Sequence, residues 1–313
     1  MVDFKEIEIV SVNLSELKGT IKTPVNSIEI NNLGIKNDAH AGVWHRQISM
    51  LASESIDSFE GELGRAINCG EFGENITTKG MLLYKCNPLD RFVCDDLELE
   101  VTQIGKKCHG DGCEIFKQVG NCMMPKEGIF CRVHTGGKLD KNKKLTYIPK
   151  VYKIGVITLS DRASENIYVD RSGPIIENKL SEFYASQNKL IEITSTIIPD
   201  NEVMLRDQIK SLCAAEYDII FTTGGTGIGP RDITPEVLLT LFDKEIPGIM
   251  DAIRMKYGAE RLQALISRSV AGLKGQTLIF ALPGSARAVT EYLNEITQHL
   301  NHLIMMVHHI DSH

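Results

Sequence analysis

The sequence predicts an α/β protein in two parts: an N-terminal mostly-β barrel over residues 1–150, then a C-terminal doubly wound α/β domain over residues 151–313. Three observations predict it. The chain's 313 residues exceed what most single cores organise, so about two domains are expected. Short β-rich runs at residues 5–12, 47–52, 96–104 and 128–133 recur between Gly, Asn and Asp, the texture of a mostly-β unit. Beyond residue 150, apolar runs alternate with helical spacing, the βαβ signature of an open sheet.

In the second part, residues 154–159, 191–197 and 219–223 are mainly apolar or β-branched, as parallel strands covered on both faces require. Residues 174–185 and 202–215 between them have helical spacing. A short helix is expected at 236–242, a further strand at 277–281 and a long closing helix at 285–307. A polar, Lys-rich stretch at residues 136–145 separates the two textures.

Composition narrows the function. A hydrophobic content of 42% with 24% charged residues is that of a globular chain, not a disordered one. The net charge of -7 argues against broad binding to nucleic acid or to an anionic membrane surface. No apolar run approaches the roughly 18 residues of a membrane span, and the first residues lack a signal pattern, so a cytoplasmic location is expected. Seven of the eight cysteines precede residue 150. Their spacing suits neither a disulfide framework nor a zinc site, so free, mostly inert thiols are expected.

The strongest chemical signal runs from Thr222 to Glu236: Thr222, Thr223, Gly224, Gly225, Thr226, Gly227, then Arg231, Asp232, Thr234, Pro235 and Glu236. Glycines just past a strand let backbone N–H groups approach an anion, and in open α/β sheets that edge is where ligands bind. Thr234 is expected to cap the following helix, with Pro235 in its first turn. The spacing fits neither the Rossmann nor the P-loop fingerprint. Ser160-Asp161-Arg162, then Asp170, Ser172 and Gly173, follow the first strand of this half. Asp200 ends the second, and Pro283-Gly284-Ser285 ends the last. An ordinary turn explains any one of these segments, whereas four on one rim point to a phosphate-bearing ligand.

These residues, with Pro247-Gly248 and Ser267-Arg268, resemble the MogA/MoaB family of molybdenum-cofactor biosynthesis proteins over nearly all of 151–313. The resemblance implies molybdopterin adenylyltransferase activity, in which the terminal phosphate of molybdopterin attacks the α-phosphate of MgATP. It assigns Asp200 and Asp232 to Mg²⁺ and to orienting the attacking phosphate. It gives Thr222–Gly227 the cradling of phosphates or pterin, helped by Ser160, Asp161, Arg162, Asp170, Ser172, Gly173, Thr234, Pro235, Glu236, Ser267, Arg268, Pro283, Gly284 and Ser285. Attack of one phosphate on another needs alignment and charge neutralisation more than covalent help, which suits this set. A homo-oligomer is expected, since trimers are usual among the family's stand-alone proteins, and other cofactor-biosynthesis proteins are possible partners.

The first half has weaker motifs: Gly34 to Gly42 with Asp38 and His40, then His45-Arg46-Gln47, Gly73-Glu74-Asn75, and Thr102-Gln103 ahead of Cys108. On base rates Asp38 and His40 are solvent-exposed turn residues. Together the motifs resemble the MOSC domain, a β-barrel thought to bind sulfur or the molybdenum cofactor with one cysteine implicated. That cysteine matches Cys108, beside Lys106, Lys107 and His109, with Cys113 as the alternative. Two rival functions are a non-catalytic molybdopterin carrier and a MoeA-type molybdate-insertion enzyme. A third makes the first half a thiol redox module.

Overall fold

The computed structural model describes residues 4–107 and 122–310. Its contacts divide the chain into two compact units, Met1–Lys150 and Val151–His313. The first unit holds β1 (Lys5–Leu14), β2 (Thr23–Val25), β3 (Ser27–Asn31), β4 (Gly34–Ile35), β5 (Ile48–Ala52), β6 (Ile76–Lys79), β7 (Arg91–Cys94), β8 (Leu97–Ile104), β9 (Ile129–Thr135), β10 (Gly137–Asp140) and β11 (Lys144–Ile148). The order β11-β7-β8-β9-β5-β6-β1, with β11 also paired to β1, closes a barrel. Closure removes exposed strand edges and needs an apolar interior. Alternate residues supply it: Ile7 and Ile9 of β1, Ile48 and Met50 of β5, Leu99 and Val101 of β8, Ile129 and Cys131 of β9.

The Lys-rich stretch at 136–145 is not a linker. It forms β10, which pairs with β3, and the start of β11, which closes the ring against β1. Lys138 and Lys144 are exposed on β10 and β11, and Lys141 and Lys143 lie in the turn between them, while Leu139 and Leu145 are fully buried.

The second unit holds β12 (Val151–Leu159), β13 (Leu190–Ile198), β14 (Ile219–Thr223), β15 (Lys244–Glu245), β16 (Ala271–Lys274) and β17 (Thr277–Leu282), in the order β13-β12-β14-β17-β16-β15. The first four are parallel, and β16 and β15 add an antiparallel edge. That edge escapes a sequence reading because strands of four and two residues carry no usable period. β13 is itself an edge strand: Leu190 and Ile197 are 42% and 45% exposed, so its β-branched run does not have both faces covered. Helices Glu202–Ala214 and Thr234–Leu239 bury Leu205, Ile209, Val237 and Leu238 on the sheet, and Ala286–Val307 buries Val289, Leu293, Ile296 and Leu300. Because four strands run in one direction, Leu159, Ile198, Thr223 and Leu282 end at one rim. Among the described residues no helix is long and apolar enough to cross a membrane.

Candidate functional sites on the sheet rim and in the barrel

The rim begins with two carboxylates on adjacent strand ends. The Asp161 N–H donates to Asp200 Oδ2 at 3.3 Å, and the Asp200 N–H donates to Asp161 Oδ1 at 3.1 Å. Asp161 Oδ2 meets the Arg231 guanidinium at 2.6 Å. Burial raises the Asp200 carboxyl, the charges of Asp161 and Asp232 add to the rise, and Arg231 offsets part of it. Asp232 is turned into its own loop: Oδ2 accepts from the Gly229 N–H at 2.8 Å, and Cβ atoms at Gly227 or Gly229 would lie 2.7 or 2.9 Å from that oxygen. The structure thus places Asp161 nearest Asp200, with Asp232 as a neighbouring charge.

The glycine loop is fixed by backbone geometry that side chains would break. Gly224 has φ +102° and Gly225 φ +64°. Thr223 Oγ1 donates to the Pro283 carbonyl at 2.9 Å, joining the loop to the 283–285 turn, where Gly284 packs on Gly224. Thr234 does not cap its helix. Ile233 takes the cap position, and the Thr234 hydroxyl donates to the Gly224 carbonyl at 2.9 Å, with Pro235 and Glu236 in the first turn. Thr222 and Thr226 are buried, so their side chains do not line the open rim.

Arg268 is held by the loop itself. Its Nε donates to the Gly227 carbonyl at 2.6 Å, Nη2 to the Asp232 carbonyl at 2.8 Å, its N–H to the Thr226 carbonyl at 2.9 Å, and Nη1 pairs with Glu236. It latches the loop. Ser267 bonds Ser269. Ser160 and Ser285 cap their own helices, and Arg162 lies over the Tyr168 ring.

Asp170 is likewise satisfied internally. Its carboxylate accepts from Thr158 Oγ1 at 2.7 Å, from the Ser172 N–H and hydroxyl at 2.8 Å each, and from the Gly173 N–H. Burial alone would raise this carboxyl, but these hydrogen bonds outweigh it and hold it below the usual carboxylate range. It therefore anchors helix Ser172–Ala185. Asp170→Ala is expected to destabilise the protein by about 1–2 kcal/mol in chemical denaturation. A depressed folded pKa stabilises above the unfolded value, so this contribution should be present above about pH 4 and vanish as pH falls through the folded pKa.

The barrel holds a second arrangement, which the sequence reading placed wrongly. Asp38 is 6% exposed. Its Oδ2 accepts from Lys22 Nζ at 2.5 Å, Asn75 Nδ2 at 2.9 Å and the Ser15 N–H at 3.3 Å, and Oδ1 accepts from the His40 N–H at 2.9 Å. Burial would raise Asp38, yet the bonds from His40 and Lys22 hold it well below the carboxylate range, while burial lowers Lys22. Glu74 is fully buried and raised by that burial. Nearby opens a cavity of about 300 Å³ whose lining includes Lys18, His40, Arg46, Lys106, Trp44 and Asn75. Lys18 and Lys22 were missed, having no motif around them. Among the described cysteines, burial raises Cys69, Cys86, Cys94, Cys131 and Cys213, so none of these is a ready thiolate. Cys108, Cys113 and His109 lie outside the described residues.

Comparison with known proteins accords with both units. Residues 155–302 match the family profile described as a probable molybdopterin binding domain, and residues 37–145 match that of the MOSC domain. The chain is 36% identical over 159 residues to gephyrin of Dictyostelium discoideum, covering 49% of this chain but only 22% of that protein's length. It is 37% identical over 145 residues to the molybdopterin adenylyltransferase of Helicobacter pylori, covering 46% of this chain and 80% of that one. It is 35% identical over 177 residues to molybdenum cofactor biosynthesis protein B of Staphylococcus carnosus, covering 55% and 94%. By its second unit the chain belongs to the MogA/MoaB-like family of molybdopterin-binding proteins, and its first unit is a MOSC domain.

Proposed function

We propose that the second unit transfers the adenylyl group of ATP to molybdopterin in molybdenum-cofactor biosynthesis. The observation that carries this reading is the Asp161–Asp200 pair, with Arg231 on it and Asp232 beside it, at the strand ends next to a glycine loop. A terminal phosphate oxygen of molybdopterin attacks the α-phosphorus of ATP. The bond from that phosphorus to the bridging oxygen breaks, and pyrophosphate leaves with the electron pair. Loop residues Thr223–Gly227 orient the phosphates and exclude water.

The donor set fits Mg²⁺: hard carboxylate oxygens from Asp161 and Asp200, with Asp232 near. Among the described residues no group of three or more His, Cys, Asp or Glu side chains is placed to hold a metal ion. This accords with an ion that takes one or two carboxylates and fills its shell with phosphate and water. When bound, Mg²⁺ supplies charge neutralisation for the phosphates.

The test is Mg²⁺-dependent pyrophosphate release from molybdopterin plus ATP, for wild type and Asp232→Asn. Turnover that falls about a hundredfold in the variant, with molybdopterin binding retained, supports the reading. Tight molybdopterin binding without pyrophosphate from wild type overturns it in favour of a carrier or insertion protein. The barrel cavity, lined by Lys18, Arg46 and Lys106, supports a cofactor-handling role for the first unit. A homo-oligomeric, trimeric assembly completes this reading, to be checked by sedimentation.

A further inference from the structure

Within the rim cluster, Arg231 has no assigned role. Its guanidinium is 65% exposed and its carboxylate partner 28%. It is built into the loop that carries Asp232, yet it crosses to the end of β12, while the Asp232 carboxylate folds back onto Gly229. The Asp161 and Asp200 oxygens that accept each other's N–H groups are Oδ1 and Oδ2 respectively, and Arg231 takes the remaining Asp161 oxygen. It thus occupies the one Asp161 oxygen that the Asp200 backbone leaves free. So exposed an ion pair holds its partners by no more than about fivefold, so it is easily exchanged.

We propose that Arg231 is the resident counter-charge of the Asp161–Asp200 pair, exchanging from Asp161 to the nucleotide's phosphates when a divalent cation takes the carboxylates. This rests on the adenylyl-transfer reading for the identity of the nucleotide. Two carboxylates and one guanidinium leave a net negative charge. A divalent cation reverses that sign and repels the guanidinium. A polyphosphate then offers it pairs of anionic oxygens, which a guanidinium engages in two parallel hydrogen bonds. Arg231 is a positioning residue for the carboxylates before loading and a phosphate contact afterwards. A merely structural ion pair would predict neither of these behaviours.

The experiment uses the full chain and two readouts other than turnover. Mn²⁺ binding without nucleotide is followed by electron paramagnetic resonance of the free ion. Arg231→Met is expected to bind Mn²⁺ about fivefold more tightly than wild type, and Arg231→Lys close to wild type. Asp161→Asn should abolish the gain when combined with Arg231→Met. Fluorescent mant-ATP in excess Mg²⁺ should bind Arg231→Met about tenfold more weakly. Unchanged or weaker Mn²⁺ affinity in Arg231→Met, or unchanged mant-ATP affinity, overturns the proposal. If wild type releases no pyrophosphate but both binding shifts appear, the exchange stands and the adenylyl-transfer reading falls. If turnover is present and the shifts are absent, the exchange alone falls.

Discussion

Replacing Asp38 by alanine is expected to destabilise the barrel unit by about 3–5 kcal/mol, the range for removing one partner of a buried ion pair. The cause is what stays behind. Lys22 and Asp38 side chains are both 0% exposed, so the variant leaves an ammonium in the interior with its counter-charge gone. Three further donors lose their acceptor, the Ser15 and His40 N–H groups and the Asn75 amide, and the His40 ring loses its 3.3 Å contact with Oδ1. Asn75 in turn holds Ser49, whose N–H and hydroxyl both reach its Oδ1, so the loss spreads to β5. Lys22→Met should cost less, because Asp38 keeps those three donors. Amide exchange in peptides covering Ile48–Ala52 and Ile76–Lys79 of the full chain reads the effect on this unit alone. Exchange in Asp38→Ala no faster than in Lys22→Met would show that Asp38 is not the hub.

That network also shows where a sequence stops being legible. Four strands of each unit could be read because their apolar or β-branched runs end at Gly, Asn or Asp turns, and the rim because the four of the second unit end in polar or Gly motifs. Asp38 follows a glycine turn and precedes a histidine, which in sequence is the dress of a solvent loop. Its partner Lys22 lies 16 residues earlier with no periodic signal. Only closure of the barrel brings them together. The Asp161–Asp200 pair has the same character. Both residues were placed on the rim, but their 39-residue separation says nothing about which rim residues are neighbours. Strand order decides that, since β12 and β13 lie side by side. Arg268 was seen as a cation near an anion site. Its carbonyl acceptors at Gly227 and Asp232 depend on loop shape, which composition does not encode.

Gly224→Ala is the corresponding expectation for the second unit, with a loss of about 3 kcal/mol or more. Two independent penalties combine. The backbone at φ +102° lies where a Cβ-bearing residue is strained. The added Cβ would also lie 2.3 Å from the Leu159 carbonyl oxygen, an atom at the end of β12 that cannot swing aside as a long side chain would. Relief requires β12 and β14 to part at the rim, which moves Asp161, two residues past Leu159, away from the loop after β14 that carries its partner Arg231. Gly275→Ala is the matched control: it has φ +60° but nothing within 4 Å of the added Cβ, so it carries backbone strain without collision. Chemical denaturation with exchange monitored in Val151–Leu159 and Ile219–Thr223 should show Gly224→Ala losing clearly more than Gly275→Ala. Equal losses would mean that the rim tolerates a methyl group there, and that the close approach of β12 and β14 does not hold the glycine loop against the end of β12.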